Sequence, residues 1–424
     1  MSSVSASESR ETRTIDRLES KIEEANEIAA RCLRRCYGKD GIYAGSRHFR
    51  NYWARDAFYA ILGALEIGDT DVAKKTLELF MRFSKEDYGG KIVPLRIGDP
   101  NIILSFLGFH FNSMVPRYTQ DKGHNHAYDP NPLMIIAFDE YYKKTKDKSF
   151  LEKNRKTLEN IIYWCVSRID KRFNLVESGK YATWQDSIKK KGFTLYNNVL
   201  ICEAARRAGN LLDDRELENI SGLMKESINE HLWNGLFYDD FFKVNTDKEN
   251  RHSKRRYSIF ATFENTLAIE YGIADNVKAH SIERYIMHSD INDVIPSLTN
   301  YQRYPPHELS RRMHLVGMGD YHNHSMAWLF IGLSDAMAKY RIGFRKEARD
   351  ELGKIAEVIT RDNTVYECYE TTGTNKGKHV ERLLYRSEED FAISSSYFVR
   401  AYDMIIGGND TGHDSHNTYK HRNR

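Results

Sequence analysis

Helical segments, and the lengths of the links between them, constrain this sequence more than any other feature. Apolar residues recur at helical spacing in twelve stretches, and no run of residues alternates convincingly like a strand. The links after even-numbered helices have roughly two to five residues, whereas those after odd-numbered helices have roughly 15 to 45. Six such helical hairpins can close into a double ring. We therefore predict an all-α fold, an (α/α)₆ barrel of six helical hairpins, with the long loops on one rim above the N-termini of the inner helices.

The predicted helices also set the domain organisation. They cover approximately residues 15–32, 58–67, 72–83, 132–144, 151–169, 193–208, 215–232, 258–271, 277–287, 326–340, 344–359 and 389–404. Residues 1–14 are rich in Ser, Glu and Thr and are predicted to be disordered. Residues 15–405 are predicted to form a single barrel domain. The polar residues 406–424 are predicted to be a mobile tail.

Charge and hydropathy exclude several classes of protein. The 63 basic and 60 acidic residues give a formal net charge of +3, so no strong basic field is available to bind nucleic acid. No apolar run reaches about 18 residues, so we expect no membrane span. The N-terminus has no apolar signal-peptide core, and the five cysteines follow no metal-site or disulfide pattern. We therefore expect reduced thiols and a cytoplasmic location, and the oligomeric state stays open.

The segment Tyr52-Trp53-Ala54-Arg55-Asp56 lies where a loop ends and an apolar run begins. Trp53 offers a flat face that can stack on a sugar ring, and Arg55 can hold a carboxylate in a bidentate pair. Asp56 suits the first turn of a helix, where the macrodipole stabilises a carboxylate. A helix cap with a buried aromatic ring and a structural ion pair is the alternative, and the motif alone leaves both open.

Carboxylates on the predicted rim suit acid–base chemistry on a polyhydroxy ligand. An inverting glycosidase needs one carboxyl as acid and one as base, roughly 6.5–9.5 Å apart with a water between them. Asp186 lies close after Trp184, whose indole would desolvate the carboxyl, raise its pKa and keep it protonated. Glu367 is framed by Tyr366 and Tyr369 and is the favoured base. A cap or surface position for Asp186 and ordinary exposure for Glu367 are the alternatives.

Other acidic residues share the predicted rim, and we weigh them lower. They are Asp56, Asp129, Asp239, Asp240, Glu308, Asp320, Glu370 and Glu388. Glu388 and Glu389 are expected to cap the last helix, with Glu388 a less favoured base.

Histidines and lysines on the same rim have weaker signals. His322 and His324 could be metal ligands, but no distant cluster matches them, so hydrogen bonding or core packing is favoured. Lys189, Lys190 and Lys191 are interpreted as a solvated turn, with an anionic substrate group as the alternative. No phosphate-binding glycine loop is present.

Four segments, in order along the chain, resemble the signatures of the six-hairpin glycosidases. Tyr52 to Asp56 is similar to W-x-R-D, and the segment 183–187 (TWQDS) looks like T-W-M-D-A. The segment 321–328 (YHNHSMAW) is similar to Y-H-N-G-T-V-W-P, and the segment 367–373 (ECYETTG) resembles E-N-Y…G or E-I-F…G. This superfamily includes the glucosidase domains of glycogen debranching enzymes, glucoamylases, and small hydrolases of sucrose, mannosylglycerate or glucosylglycerate. Four residues depart from these signatures: His324, Ala327, Leu329 and Cys368. These departures affect the expected substrate more than the expected fold.

The resemblance implies a function and a set of site residues. It implies a catalytic domain over residues 15–405 that hydrolyses a small saccharide, an α-glucoside or a related sugar, with inversion. Asp186 would be the general acid and Glu367 the general base, and neither a metal nor an organic cofactor would be required. The expected substrate-binding residues are Tyr52, Trp53, Arg55, Asp56, His126, Trp184, Gln185, His322, Asn323 and Trp328.

Three other readings stay open at this point. The same barrel could carry out phosphorolysis, epimerisation or polysaccharide lysis, and phosphate-dependent turnover would identify a phosphorylase. A carbohydrate-binding protein without turnover is the second. A helical repeat scaffold is the third, although the sequence shows no strict repeat period.

Overall fold

A computed structural model describes residues 2–101, 109–111, 113–120, 125–246, 252–315 and 317–408. For residues 2–16, 125, 246 and 252 it describes the backbone alone. Thirteen α-helices lie in these ranges: α1 Ser2–Arg35, α2 Ala54–Glu66, α3 Thr70–Phe83, α4 Pro130–Thr145, α5 Lys148–Val166, α6 Leu195–Leu212, α7 Arg215–His231, α8 Thr262–Glu270, α9 Asn276–Met287, α10 Arg311–Leu315, α11 Leu329–Arg341, α12 Arg345–Asp362 and α13 Ala392–Ile405.

Six of these helices form a closed inner ring. Helices α2, α4, α6, α8, α11 and α13 each contact the next in that order, and α13 contacts α2. Their hairpin partners α3, α5, α7, α9 and α12 lie outside them. Helix α1 packs against α12 and α13, so the sixth hairpin joins the two ends of the chain. The fold is therefore the all-α double ring that the link lengths predicted, with one additional short helix, α10.

Burial explains which helices lie inside. Every residue of the inner helix α8 is buried, as expected for a helix packed on all sides. The outer helix α12 is strongly charged, and its buried positions include Ala348, Leu352, Ile355 and Ile359. These positions repeat at helical spacing and form one apolar face. The inner helices therefore supply the core, while the outer helices each cover it with one side.

The remaining regular structure consists of short strands in the loops. They are β1 Tyr52–Trp53, β2 Lys85–Asp87, β3 Gly90–Ile92, β4 Arg96–Gly98, β5 Val115–Arg117, β6 Thr119–Gln120, β7 Asn125–His126, β8 Ile169–Asp170, β9 Leu175–Val176, β10 Phe193–Thr194, β11 Phe241–Thr246, β12 His252–Tyr257, β13 Met326–Ala327, β14 Tyr369–Glu370, β15 Glu381–Arg382 and β16 Tyr385–Arg386. All pair antiparallel, and the largest sheets have three strands, in the orders β1-β4-β5 and β10-β11-β12.

The hairpin β11–β12 corrects the prediction of a loop before the eighth helix. Strand β12 is mostly basic, so its sequence lacks an apolar alternation. In the structure the lysine side chains cover aromatic rings of the paired strand: the ammonium of Lys254 lies 4.6 Å from the Phe242 ring centre, and that of Lys243 lies 4.8 Å from the Tyr257 ring centre. Such cation–π contacts and long apolar stems replace an apolar face.

The chain ends differ in how they compare with the prediction. Helix α1 begins at Ser2 and so includes residues 1–14 in part, where the sequence predicted disorder. Once a helix is nucleated, each added residue costs little. The tail from residue 409 lies outside the described residues, and the domain boundaries stay predictions. Among the described residues, no helix combines the length and apolarity that crossing a membrane requires.

Candidate active site

A cavity of about 720 Å³ opens at the rim formed by the N-terminal ends of the inner helices. Its walls come from the segments that precede α2, α4, α6, α11 and α13. The lining residues are Ala44, His48, Phe49, Asn51, Trp53, Arg55, Asp56, Arg117, Gln120, Tyr181, Trp184, Asp186, Ser187, Lys189, Ser310, Arg311, Arg312, Met313, Met318, Tyr321, His322, Leu384, Tyr385 and Phe391.

The segment around Arg55 changes from strand to helix at the cavity wall. Tyr52 and Trp53 pair with β4, and α2 begins at the next residue. Asp56 consequently lies in the first turn of α2, as the sequence predicted. Arg55 forms an ion pair with the buried carboxylate of Asp129, so the first motif contributes one fixed cation and one carboxylate to the cavity.

Asp186 lines the cavity with its side chain about 35% exposed. Burial by the surrounding protein raises the pKa of this carboxyl, whereas the Arg55 charge opposes the rise. The ring of His322 lies beside it, with Nδ1 3.9 Å from the Asp186 carboxylate and 2.9 Å from the Ser187 hydroxyl. Burial, followed by the charges of Arg55 and Lys190, lowers the pKa of His322 well below its usual value. The imidazole is therefore neutral near pH 7, and Asp186 gains no strong cation from it.

Glu367 lies directly behind the cavity wall and is 1% exposed. The hydroxyls of Tyr321 and Tyr385, which both line the cavity, donate hydrogen bonds to its two oxygens. The backbone N–H of Glu388 donates a further bond of 3.3 Å. Burial raises the pKa of Glu367, and the two tyrosine hydrogen bonds act against the rise. These donors favour an ionised carboxylate held in one orientation.

Glu388 has a different environment from the one predicted. Its carboxylate accepts the backbone N–H groups of Arg47, His48 and Phe49 at 2.6, 3.1 and 3.3 Å, and the His48 ring lies 2.9 Å away. The N-cap of α13 is Phe391, without a side-chain cap. The prediction that Glu388 caps the last helix is therefore wrong, because three successive N–H groups of a distant loop bind this carboxylate instead.

Lys190 corrects the interpretation of residues 189–191 as a solvated turn. Its ammonium is fully buried, 2.8 Å from the Asp240 carboxylate and 3.4 Å from the Glu264 carboxylate. It also donates to the side-chain oxygen of Gln185. Glu264 in turn accepts the indole N–H of Trp184 at 2.9 Å. Buried cations require partners. Lys190 therefore connects the loop that carries Asp186 to Glu264 on α8 and to Asp240, the residue before β11.

Comparisons with known proteins agree with this architecture. No sequence-family model and no curated protein matches the chain. Among solved structures, a GH63 mannosylglycerate hydrolase from Thermus thermophilus, in complex with Tris and D-glycerate, superposes with a TM-score of 0.62 at 13% identity, over 88% of this chain and 99% of that one. The chain therefore shares the six-hairpin, (α/α)₆-barrel fold of this solved structure. At this identity, the likeness concerns the fold.

Two rhamnosidases share the six-hairpin fold as part of longer chains. The rhamnosidase from Klebsiella oxytoca, solved with rhamnose bound, has a TM-score of 0.61 at 14% identity over 92% of this chain. A GH78 rhamnosidase from Bacillus sp. GL1 has a TM-score of 0.60 at 16% identity over 90% of this chain. The present chain spans 64% of the first protein and 35% of the second.

The structure places five of the ten predicted substrate-binding residues behind the wall of this six-hairpin cavity. Tyr52 bonds to the hydroxyl of Tyr43, and Gln185 is fully buried between the main chain of His322 and the ammonium of Lys190. The other three are in similar positions: His126 packs edge-on against Trp164, Asn323 accepts the Tyr304 N–H, and Trp328 stacks on His322. Of these five, Gln185 and Trp328 contact the lining residue His322. Trp53, Arg55, Asp56, Trp184 and His322 line the cavity, and their binding of substrate stays a prediction.

The sequence prediction did not include several of the residues that line the cavity. Tyr321 belongs to the third signature segment and could have been included on that ground. Tyr385 lies on the hairpin β15–β16, and Arg117 lies on β5. Neither strand has an apolar alternation in the sequence, so no local signal placed these side chains on the rim.

Proposed function

We propose that this protein is a glycoside hydrolase that cleaves a small saccharide with inversion. The observation that carries the proposal is the position of Asp186: a carboxyl with a raised pKa faces the cavity at the inner-helix rim of a six-hairpin fold. A protonated carboxylic acid in such a position can give its proton to a leaving oxygen. Asp56 supplies a second carboxyl to the same cavity.

Asp186 is the proposed general acid. It transfers its proton to the glycosidic oxygen as the bond between that oxygen and the anomeric carbon breaks. Burial raises the pKa of this carboxyl and so favours its protonated form, and the neutral His322 adds no charge that would oppose this. After product release, the carboxylate regains a proton from solvent.

Glu367 is the proposed general base. It accepts a proton, passed on by the hydroxyl of Tyr321 or Tyr385, from the water that attacks the anomeric carbon from the opposite face. After turnover Glu367 releases this proton to solvent, so that one water is consumed for each bond cleaved. The hydroxyls of Tyr321 and Tyr385 hold the carboxylate oxygens. Since these hydroxyls stand at the wall and Glu367 behind it, the attacking water is expected to sit beside the two tyrosines.

The remaining wall suits a sugar ring. Trp53 is the proposed stacking surface, and the carboxylate of Asp56 and the guanidinium of Arg55 are the proposed partners of sugar hydroxyls. The cavity volume is within the range of about 300–1,000 Å³ that is usual for small-ligand sites. Proteins of similar fold include a mannosylglycerate hydrolase and a rhamnosidase with rhamnose bound, so we propose a small glycoside, an α-glucoside or a related sugar, as the substrate.

A turnover assay over a panel of small glycosides tests the proposal. The panel comprises sucrose, isomaltose-type glucosides, mannosides, rhamnosides and glycerate glycosides, with and without inorganic phosphate. We expect release of a free reducing sugar from at least one glycoside without phosphate. Turnover that depends on phosphate would instead identify a phosphorylase, and binding of sugars without any turnover would contradict the hydrolase.

A further inference from the structure

One face of the sheet β1-β4-β5 holds a row of three nitrogen-bearing side chains. Trp53 on β1 is directly opposite Arg96 on β4, and Arg96 is directly opposite Arg117 on β5. Residues directly opposite each other in antiparallel strands project to the same face, with Cβ atoms about 4.5–5.5 Å apart. Trp53 and Arg117, the two ends of the row, line the cavity.

The three side chains of the row carry only hydrogen-bond donors, and several of these donors have no acceptor among the described residues. Arg96 is 2% exposed, and its Nε and one terminal nitrogen have no hydrogen-bond partner. The indole nitrogen of Trp53 is likewise buried without a partner. Arg117 donates from Nε to the main-chain oxygen of Thr119 at 2.9 Å and forms no ion pair with a described carboxylate. Buried donors without acceptors each cost about 1–3 kcal/mol.

Electrostatics in the row favour an added negative charge. The Arg96 guanidinium lies 5.4 Å from the Trp53 ring centre. Burial, followed by the charge of Arg117, lowers the pKa of Arg96 to about 10. The acidic residue that acts on Arg96 is Asp99, whose carboxylate accepts the N–H groups of Phe111 and Ser113 at 2.9 Å each. Asp99 is therefore already engaged, and no carboxylate in the described part of the chain forms an ion pair with Arg96 or Arg117.

We propose that the row Trp53–Arg96–Arg117 is an oxyanion-binding site in the wall of the cavity. An oxyanion in the cavity would accept charge-assisted hydrogen bonds from the terminal nitrogens of Arg117. The buried guanidinium of Arg96, directly opposite Arg117 in the sheet, would stabilise the anion through its charge. A carboxylate, a sulfate and a phosphate share this chemistry. This site adds a substrate preference to the proposed function, because it selects an acidic sugar over its neutral counterpart. It rests on the proposed function only in assuming that a saccharide carries the anion.

Calorimetric titration tests the site without requiring turnover. The ligands are D-glucuronate, D-glucose 6-phosphate, neutral D-glucose and inorganic phosphate, all at low and matched ionic strength because exposed charges are screened by salt. We expect at least one of the three anions to bind at least about tenfold more tightly than D-glucose. The tightest of them identifies a sugar carboxylate, a sugar phosphate or the free ion as the source. Equal affinity for D-glucose and all three anions, or no binding of any anion, would overturn the proposal.

Variants of the row locate the binding. Arg117→Gln and Arg96→Gln should each reduce anion affinity by about tenfold to a hundredfold while changing D-glucose affinity less than twofold. Arg155→Gln, a change of equal charge at a partly exposed residue of the outer helix α5, is the matched control and should preserve anion affinity. If the variant of the buried Arg96 fails to fold, the anion affinity of the variant at the partly exposed Arg117 decides whether the proposal stands. Unchanged anion affinity in Arg117→Gln overturns the site.

The two proposals can fail separately. Anion binding that depends on Arg117, in a protein that hydrolyses no glycoside, would retain the oxyanion site and refute the hydrolase. Hydrolysis of neutral glycosides by a protein that shows no preference for anions would retain the hydrolase and refute the oxyanion site.

Discussion

The guanidinium of Arg55 donates a hydrogen bond of 3.4 Å to the main-chain oxygen of Trp184. A second bond of 3.2 Å goes to the main-chain oxygen of Thr183. Arg55 and these two acceptors belong to segments that lie far apart in the sequence and meet on the cavity wall. The same guanidinium also pairs with Asp129. Arg55 therefore fixes the loop that presents Asp186, in addition to any contact with substrate.

Replacing the proposed acid should separate activity from stability. We expect Asp186→Asn to reduce kcat by about 10²–10⁴-fold on glycosides with poor leaving groups. Glycosides with activated leaving groups need less protonation, so their loss should be smaller. The free energy of unfolding should be unchanged or slightly higher, because burial disfavours the charged carboxyl. Steady-state kinetics over a leaving-group series, with urea unfolding, provides the test; equal losses across the series would speak against an acid.

Glu367 and Glu388 should respond differently to loss of charge. Glu367→Gln should remove turnover and leave the protein folded. Glu388→Gln should lower the free energy of unfolding by about 2–3 kcal/mol, because three backbone N–H groups lose a charged acceptor. The measurement is kcat per folded molecule beside urea unfolding. A stable Glu388→Gln protein without turnover would make Glu388 the base instead.

Lys190 and Lys191 form a matched pair of neighbouring lysines, one buried and one exposed. Lys190→Met should lower the free energy of unfolding by about 3–5 kcal/mol, because it leaves Asp240 and Glu264 buried without their cation. Lys191→Met should change it by no more than about 0.5 kcal/mol. Urea unfolding of both variants at pH 7 is the measurement, and equal effects would show that burial of Lys190 contributes little.

Asp56 should make stability depend on pH. Burial raises its pKa from 3.8 to about 7 in the folded protein, with Arg55 opposing and Glu367 adding to the rise. Between these two values the folded state binds more protons than the unfolded state, so the contribution of Asp56 to stability falls as the pH rises. The stability of Asp56→Asn relative to the unsubstituted protein should therefore increase from about pH 4 to about pH 7 and then level off. Parallel urea-unfolding profiles for the two proteins over this range would contradict the raised pKa.

The sequence determined the helical framework more clearly than the loops. Amphipathic spacing is local, so the outer helices could be recognised from residues such as Ala348 and Leu352. The alternation of short and long links then specified the ring. Strand β12 was missed because its side chains show no apolar alternation. The stem of Lys254 instead packs against Phe242 of the paired strand β11, a contact that the pattern within β12 alone does not reveal.

The site was predictable where a residue both belongs to a signature and faces the cavity. Trp53, Arg55 and Asp56 satisfy both conditions. Gln185 and Trp328 belong to signatures but pack behind the wall, since a short motif does not encode which side a side chain faces. Lys190 shows the same limit for charge: its two carboxylate partners come from other parts of the chain, and only the fold brings them together.

Proton NMR of the first sugar released is the most direct test of the central claim, which is hydrolysis with inversion by Asp186 and Glu367. The spectrum is recorded before mutarotation, in phosphate-free buffer, on the glycoside that the panel identifies. We predict that the opposite anomer appears first and that Asp186→Asn and Glu367→Gln each slow its formation by orders of magnitude. Release of the retained anomer would contradict the account, because retention requires a covalent nucleophile in place of an activated water.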